Sequence, residues 1–180
     1  MEIGESTKRR RIFVALPISK GLEEEVSRWR EKYANLPVRW LENGNLHITL
    51  VPPWYEADAP SVISKLAGIK GASLGVLFRG VSYGPDPRRP RLIWAEGGAP
   101  REMLDLRIKI YETLGKVPEK RPFLTHLTLA RFKEEDFFSF PVRHIEDIVS
   151  WKERFSSFVL MESHLKRSGA EYEVLAEFPL

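Results

Sequence analysis

The sequence predicts an α+β fold built from two similar halves, and three observations support this. First, a buried strand, an amphipathic helix and a second strand occur in that order twice along the 180 residues. Second, each second strand carries a His-x-Thr pair. Third, the spacing is nearly equal, since 36 residues separate Arg11 from His47 and 35 separate Arg91 from His126. We expect one domain over residues 1–180, made of two pseudo-repeats at about residues 11–83 and 91–178.

The elements of the first half follow from hydrophobic spacing and from the residues that end each run. Ser19 is a predicted N-cap, and Asn43-Gly44 predicts a turn. The predicted elements are a strand Arg11–Pro17, a helix after Ser19 with Leu22, Val26, Trp29, Arg30 and Tyr33 at helical spacing, a strand Leu46–Val51 closed by Pro52-Pro53, a helix Ala59–Ile69 and a strand Ser73–Tyr83.

The second half repeats this order after a loop at Gly84–Pro90 and adds further elements at its end. Its helix is predicted to bury Leu104, Ile108, Tyr111 and Leu114 and to end at Gly115. The predicted elements are strands Arg91–Glu96 and Leu124–Phe132 around a helix Arg101–Leu114, strand candidates Phe137–Val142 and Phe155–Leu165 around a short helix Ile145–Trp151, a hairpin turn Ser168–Glu171 and a strand Tyr172–Phe178.

Composition narrows the class of protein. Hydrophobic residues make up 43% of the chain and charged residues 29%, which is typical of a soluble globular protein. No apolar run approaches the roughly 20 residues of a membrane span, and the first residues lack a secretory signal, so we expect a cytoplasmic protein without membrane contact. The absence of cysteine excludes disulfides, thiolate metal sites and a cysteine nucleophile.

The net charge of +3 is a mild excess, but the positive residues are clustered. Such clusters are either solvated flanks of strands and loops or contacts for an anionic ligand, and a nucleic-acid end needs only one or two of them. The clusters are Lys8–Arg11, Arg88–Arg91, Lys120–Arg121 and Lys166–Arg167.

The two His-x-Thr strands are the strongest functional signal. Their sequences are L-H-I-T-L at Leu46–Leu50 and T-H-L-T-L-A-R at Thr125–Arg131. Because side chains alternate along a strand, the histidine and threonine of each pair share one face and the leucines and isoleucine face the other. A single pair of this kind is usually just the polar face of a strand. Two copies after matching strand–helix units favour a shared cleft.

Two imidazoles on opposite sides of one phosphate form an acid/base pair. The unperturbed pKa of histidine, about 6.5, lets one ring accept a proton while the other donates one. The hydroxyls of Thr49 and Thr128 can donate hydrogen bonds to the phosphate oxygens, or can simply form polar strand contacts. This chemistry requires no metal or cofactor, and neither His-Glu-x-x-His, a glycine-rich phosphate loop nor a Gly-x-Ser-x-Gly elbow occurs.

In its motifs and their order the chain resembles the two-histidine (2H) phosphoesterases, and within them the LigT/ThpR-like RNA 2′,3′-cyclic phosphodiesterases, also called 2′-5′ RNA ligases. The resemblance covers nearly the whole chain. It rests on R-I-F-V-A-L-P near the start, N-L-H-I-T-L, R-L-I-W at the midpoint, T-H-L-T-L-A-R, and S-x-L-x-x-x-G-A-x-Y-x-x-L at the end.

The resemblance implies a bilobal, pseudo-symmetric fold with two antiparallel sheets facing a central cleft and helices outside. It implies that His47 is the proton donor and His126 the proton acceptor. It also implies that the substrate is RNA ending in a 2′,3′-cyclic phosphate, such as a tRNA fragment, with a 2′-phosphomonoester as product and reversible 2′-5′ ligation. No obligate protein partner is expected.

Two positions depart from the family pattern. Thr125 stands where proline is common, and Val51–Tyr55 replaces Phe-Leu-Gly after the first motif. Trp54 and Tyr55 either stack on a base or pack beneath the proline turn.

Arg131 is a phosphate-binding candidate because guanidinium suits an oxyanion. Its strand parity opposes that of His126, so it points away unless the strand bulges. His144 and His164 lack any such context and are expected to be ordinary surface or strand residues.

Two alternatives stay open at this point. The chain could be a non-catalytic module that binds nucleotides or RNA ends, or an enzyme acting on other cyclic phosphates or on 2′-5′ oligonucleotides.

Overall fold

A computed structural model describes residues 9–167 and 169–180 and confirms the predicted α+β class. Three α helices and nine strands occur in the described residues, together with 3₁₀ helices at Asn43–Asn45 and Glu134–Ser139. In chain order the elements are β1 (Arg10–Pro17), α1 (Lys20–Glu31), β2 (Arg39–Trp40), β3 (His47–Glu56), α2 (Ala59–Leu66), β4 (Leu74–Gly84), β5 (Leu92–Gly97), α3 (Arg101–Leu114), β6 (Thr125–Arg131), β7 (Glu146–Phe155), β8 (Ser157–Lys166) and β9 (Gly169–Pro179).

The strands form two antiparallel sheets. Sheet A has the order β3-β1-β8-β9, and sheet B has the order β2-β6-β5-β4-β7. Each sheet takes strands from both halves of the chain, so the border between the predicted repeats does not coincide with the border between the sheets. The division into two pseudo-repeats within one domain stays a prediction.

The two faces of β1 contact different groups of side chains. Ile12, Val14 and Leu16 belong to the large hydrophobic core, which also takes in buried residues of all three helices. Phe13 and Ala15 point the other way and form a small cluster with Val159 and Met161 of β8. Sheet A therefore has one face on the core and a second, thinly covered face that is available for a site.

Strand β3 is longer than predicted, because it continues through Pro52-Pro53 to Glu56. Proline removes a ladder hydrogen bond and is tolerated on edge strands and at bulges. Both conditions hold here: β3 is the edge of sheet A, and its pairing with β1 is irregular between Ile12 and Val14. Helix α2 is shorter than predicted, ending at Leu66.

Two predictions near the end of the chain are wrong. In place of the short helix predicted at Ile145–Trp151, Glu146–Phe155 is a strand paired with β4. The spacing of Ile145, Ile148 and Trp151 mimics a helix, yet the alternating burial of the strand shows that sheet pairing prevails. The predicted strand Phe137–Val142 is replaced by the 3₁₀ helix and irregular chain, whose Phe137 and Phe140 pack around Tyr83.

Helix α3 has the predicted bounds, and Gly115 ends it in the left-handed conformation at φ 62°. Its predicted buried face is partly wrong. Leu104 and Ile108 are exposed, and the buried residues are Met103, Leu106, Ile110 and Tyr111. The helix is thus rotated relative to the prediction, which places Arg107 on its inner side.

The short strand β2 was not predicted, because two residues offer no periodicity to read. The hairpin between β8 and β9 was predicted, but Ser168 lies outside the described residues. Within residues 9–167 and 169–180, no helix is both long and apolar enough to cross a membrane.

Candidate active site

Strands β3 and β6 place the two His-x-Thr pairs, and the two strands lie against each other where the sheets meet. The intervening side chains are fully buried in the core, at Leu46, Ile48, Leu127 and Leu129. This burial fixes the register of both strands, because a slip by one residue would expose the whole apolar set. The histidines are therefore held on the faces that the alternation predicts, and both are only partly buried.

The two imidazoles are anchored in the same way. Nδ1 of His47 lies 2.7 Å from the carbonyl oxygen of Asn45, and Nδ1 of His126 lies 3.0 Å from that of Leu124. A carbonyl oxygen can only accept, so each Nδ1 carries the proton and donates it. Each neutral ring consequently presents an unprotonated Nε2, the atom that can accept or return a proton.

Each histidine also rests against an aromatic ring of the neighbouring strand. The ring centroids of Phe13 and His47 are 5.0 Å apart, and those of Trp94 and His126 are 4.9 Å apart. Tyr172 adds an edge-on contact to His47 at 5.1 Å. These contacts restrict both rings, and sequence reasoning did not single out their aromatic partners, although R-I-F and R-L-I-W occupy matching places in the two halves.

Trp94 needs the glycine beside it. A Cβ at Gly84 would collide with Cε2 of the indole, so no other residue leaves room for the ring. The indole Nε1 is buried without a hydrogen-bond partner in the described chain. Sheet B thus places the ring where it supports His126 despite the cost of an unsatisfied donor.

The electrostatic environment keeps both imidazoles neutral. Burial lowers the pKa of His47 to about 4; the hydrogen bond to Asn45 opposes this, and the positive charges of Arg131 and His126 add to it. Burial also lowers the pKa of His126, with Arg131 lowering it further and the carboxylate of Glu96 raising it. The guanidinium of Arg131 therefore acts on both rings.

A bulge explains why Arg131 reaches the site against its simple strand parity. Trp94 pairs with Thr128 and Ile93 with Ala130, so Leu129 is an extra residue in β6. Beyond this bulge the alternation is reversed, and Arg131 shares the face of Thr128. The sequence is compatible with such a bulge but does not indicate its position.

The first strand has a bulge at the matching position. Ala15 pairs with Thr49 and Val14 with Val51, so Leu50 is the extra residue. Arg107 of α3 donates from Nε to the carbonyl oxygen of Leu50 at 3.0 Å. Sequence reasoning missed Arg107; the available signal was an arginine on the helix face that carries Met103, Leu106 and Ile110.

A cleft of about 380 Å³ joins these groups. It contains both threonines, His126 and Arg131, whereas His47 lies beside it against Phe13 and Tyr172. Arg91 and Arg121, from two of the predicted basic clusters, also line it. The described lining residues are Thr49, Leu50, Pro52, Pro53, Pro85, Arg91, Leu92, Trp94, Arg107, Glu119, Arg121, Pro122, Phe123, Leu124, His126, Thr128 and Arg131.

The remaining candidates lie outside this cleft. Trp54 packs on the core, beneath the ammonium group of Lys116 at 4.3 Å, and Tyr55 is exposed. His144 is exposed with its Nε2 3.5 Å from Glu146, and His164 contacts Glu173 at 3.1 Å.

Two facing antiparallel sheets, each with a His-x-Thr strand at the cleft between them, define the two-histidine class of phosphoesterases. Within that class, the family model described as LigT like Phosphoesterase matches residues 16–94. An RNA 2′,3′-cyclic phosphodiesterase of Aeropyrum pernix is 32% identical over 163 residues, covering 84% of this chain and 93% of its own length. The chain belongs to the LigT-like phosphoesterase family, and it is a phosphoesterase enzyme.

Solved structures show the same fold. TT0787 of Thermus thermophilus has a TM-score of 0.75 at 23% identity, covering 94% of this chain and 97% of its own. Escherichia coli LigT complexed with 3′-AMP has a TM-score of 0.75 at 22% identity, covering 96% of this chain and 99% of its own.

Proposed function

We propose that the protein hydrolyses the 2′,3′-cyclic phosphate ends of RNA to 2′-phosphomonoesters, using His47 as proton donor and His126 as proton acceptor. The observation that carries the proposal is the matched pair of imidazoles. Each donates a hydrogen bond from Nδ1 to a backbone carbonyl oxygen, and the positive charge of Arg131 lowers the pKa of both. Such a pair, with an oxyanion-binding guanidinium beside it, suits in-line displacement at phosphorus.

The proposed reaction has one displacement step. Nε2 of His126 takes a proton from water as the water oxygen bonds to phosphorus. The bond from phosphorus to O3′ breaks, and Nε2 of His47 gives its proton to that oxygen. Thr49, Thr128 and Arg131 donate hydrogen bonds to the non-bridging oxygens, where negative charge accumulates.

The low pKa of His47 sets a condition on this assignment. A ring with a pKa of about 4 is neutral in the free enzyme near pH 7, whereas a donor must be charged. The cyclic phosphate carries a negative charge that favours the imidazolium form when it binds. The substrate itself therefore supplies the charge that makes His47 a competent acid.

The relatives support the choice of substrate. The Aeropyrum pernix relative is named for RNA 2′,3′-cyclic phosphate, and the Escherichia coli neighbour binds 3′-AMP. In the same step, a 5′-hydroxyl in place of water would bond to phosphorus as the bond to O3′ breaks, which gives a 2′-5′ link, and this reaction is reversible. We also propose that the protein acts on tRNA fragments, that it can ligate RNA ends and that it is located in the cytoplasm.

Hydrolysis of adenosine 2′,3′-cyclic phosphate, with the product phosphate located by NMR, tests the proposal. We expect adenosine 2′-phosphate. Formation of the 3′ isomer would contradict the assigned leaving oxygen, and binding without turnover would favour an RNA-end binding module.

Substitution of the four histidines tests the roles. His47→Ala and His126→Ala should each lower kcat by roughly 10²–10⁴-fold, the usual worth of one positioned acid or base. The double variant should lose much less than the product of the two, because both groups serve one transition state. His144→Ala and His164→Ala are the controls, and a loss there as large as in His47→Ala would contradict the site.

A further inference from the structure

A second arginine stands beside Arg131 on the site-facing side of sheet B. Arg39 of β2 pairs directly with Arg131 of β6, and Trp40 pairs with Ala130. Directly paired residues of an antiparallel sheet project to the same side, with Cβ atoms about 5 Å apart. Trp40 and Ala130 pack towards the core, so Arg39 and Arg131 both point away from it.

These two arginines border a second depression, of about 370 Å³, next to the catalytic cleft. Arg131 lines both, so the depression begins where the cleft ends. Its described lining contains three cationic side chains and one carboxylate: Pro37, Arg39, Arg131, Phe132, Lys133 and Asp136. The oxygens of an anion in this depression can accept charge-assisted hydrogen bonds from the guanidinium and ammonium groups of its lining.

The Arg39 guanidinium lies against the opposite sheet. Gly169, at the start of β9, lies so close that a Cβ there would be 2.6 Å from Nη1 of Arg39. The same glycine has φ 133°, which L-residues with side chains rarely adopt. The β8–β9 hairpin of sheet A therefore packs on the guanidinium and restricts where it can reach.

We propose that this depression binds the phosphate on the 5′ oxygen of the terminal nucleotide while the cyclic phosphate lies between the histidines. The proposal rests on the proposed function. A cyclic phosphate ends its RNA chain, so the next phosphate along the strand is the one on O5′ of the same nucleoside. Arg131 contacts the cyclic phosphate, and Arg39 and Lys133 hold the neighbouring phosphate.

Three substrates separate the possible sources of that phosphate. Adenosine 2′,3′-cyclic phosphate lacks it, the 5′-phosphorylated form carries it as a monoester, and the dinucleotide ApA with a 2′,3′-cyclic end carries it as an internucleotide diester. For the wild type we expect kcat/KM to be about ten- to a hundredfold higher for at least one phosphorylated substrate, the size of one charge-assisted contact. A larger gain with the diester would assign the subsite to RNA, and a larger gain with the monoester would assign it to 5′-phosphorylated nucleotides.

Arg39→Gln should reduce that preference to within a few-fold of unity, and Lys133→Gln, an exposed position, should reduce it partly. Arg101→Gln is the matched control, because its side chain is exposed on α3, where it pairs with Asp105, so the preference should stay as in the wild type. Equal kcat/KM for all substrates in the wild type, or a preference that survives Arg39→Gln, would overturn the subsite while hydrolysis continues. A wild type that hydrolyses none of the three would overturn the proposed function and the subsite together.

Discussion

At the scale of single residues, the site combines two imidazoles with lowered pKa values that share one charged neighbour, Arg131. Their Nδ1 atoms are committed to carbonyl oxygens, so proton exchange is confined to Nε2. Arg131 lowers the pKa of both rings and at the same time favours a bound phosphate. A bound phosphate places a negative charge beside Arg131, which counteracts the effect of the guanidinium on the two rings. The pKa values of both imidazoles therefore rise when the phosphate is bound.

This arrangement predicts an acidic optimum for kcat/KM, which reports the free enzyme. The active form holds one proton on the pair. Below about pH 4 both rings are charged, and above the lowered pKa of His126 both are neutral, so both limbs should lie below pH 6.5. Arg131→Gln removes a charge that lowers both pKa values and should move both limbs to higher pH. A basic limb above about pH 7 in the wild type would contradict this account.

The sequence was sufficient to predict the histidines and threonines, because strand alternation alone places them on one face. The sequence was not sufficient to predict on which face of β6 Arg131 lies, because that face depends on one extra residue in the strand, Leu129. It also gave no sign of Arg107 as a partner of Leu50, because that contact joins elements 57 positions apart. Local patterns predict faces, whereas contacts between distant elements depend on the tertiary fold.

At the scale of elements, both His-x-Thr strands carry a bulge three residues after their histidine, at Leu50 and Leu129. Each bulge turns the position five residues after the histidine towards the cleft. In β6 that position is Arg131, and in β3 it is Pro52, which also lines the cleft. The two strands therefore have the same backbone bulge but place different side chains at the cleft, the guanidinium of Arg131 from β6 and the apolar ring of Pro52 from β3.

Arg107 should be needed to hold the first bulge. In Arg107→Leu the Leu50 carbonyl loses its side-chain donor, and we expect a loss of about 1–3 kcal/mol in the free energy of unfolding, with kcat falling more than KM rises. Lys109→Leu is the matched control, because Lys109 also donates to a carbonyl, that of Lys70, from the same helix but outside the cleft. Thermal unfolding and steady-state kinetics of both variants measure this. An unchanged kcat in Arg107→Leu would show that the bulge does not depend on it.

Element prediction failed where a local pattern fitted two structures. Residues Ile145–Trp151 have helical spacing, but β4 offers a long partner, and pairing with it buries Trp151, Glu153 and Phe155. The buried Glu153 also accepts two hydrogen bonds from Ser19 at the start of α1, each 2.8 Å long. Such tertiary gains outweigh the small differences in local propensity.

At the scale of the whole molecule, the two sheets are joined by four crossings of the chain: from β1 to β2, β2 to β3, β3 to β4 and β7 to β8. The strand–helix–strand order of the sequence predicted the α+β class, and the family resemblance implied two antiparallel sheets. Neither indicated that each sheet would combine strands from both halves. That exchange depends on pairing between strands that are distant in the sequence, and no local pattern encodes it.

The last of these crossings is a single residue, Ser156, between Phe155 of β7 and Ser157 of β8. Its carbonyl oxygen accepts a hydrogen bond from the backbone N–H of Leu180, 2.8 Å long. This bond extends the β8–β9 pairing of sheet A up to the junction, and the single-residue connection keeps the adjoining ends of β7 and β8 close together. We therefore expect little relative movement of the two sheets, so that the two His-x-Thr strands need little reorganisation when a substrate binds. We expect the cleft to have nearly the same shape with and without a bound substrate.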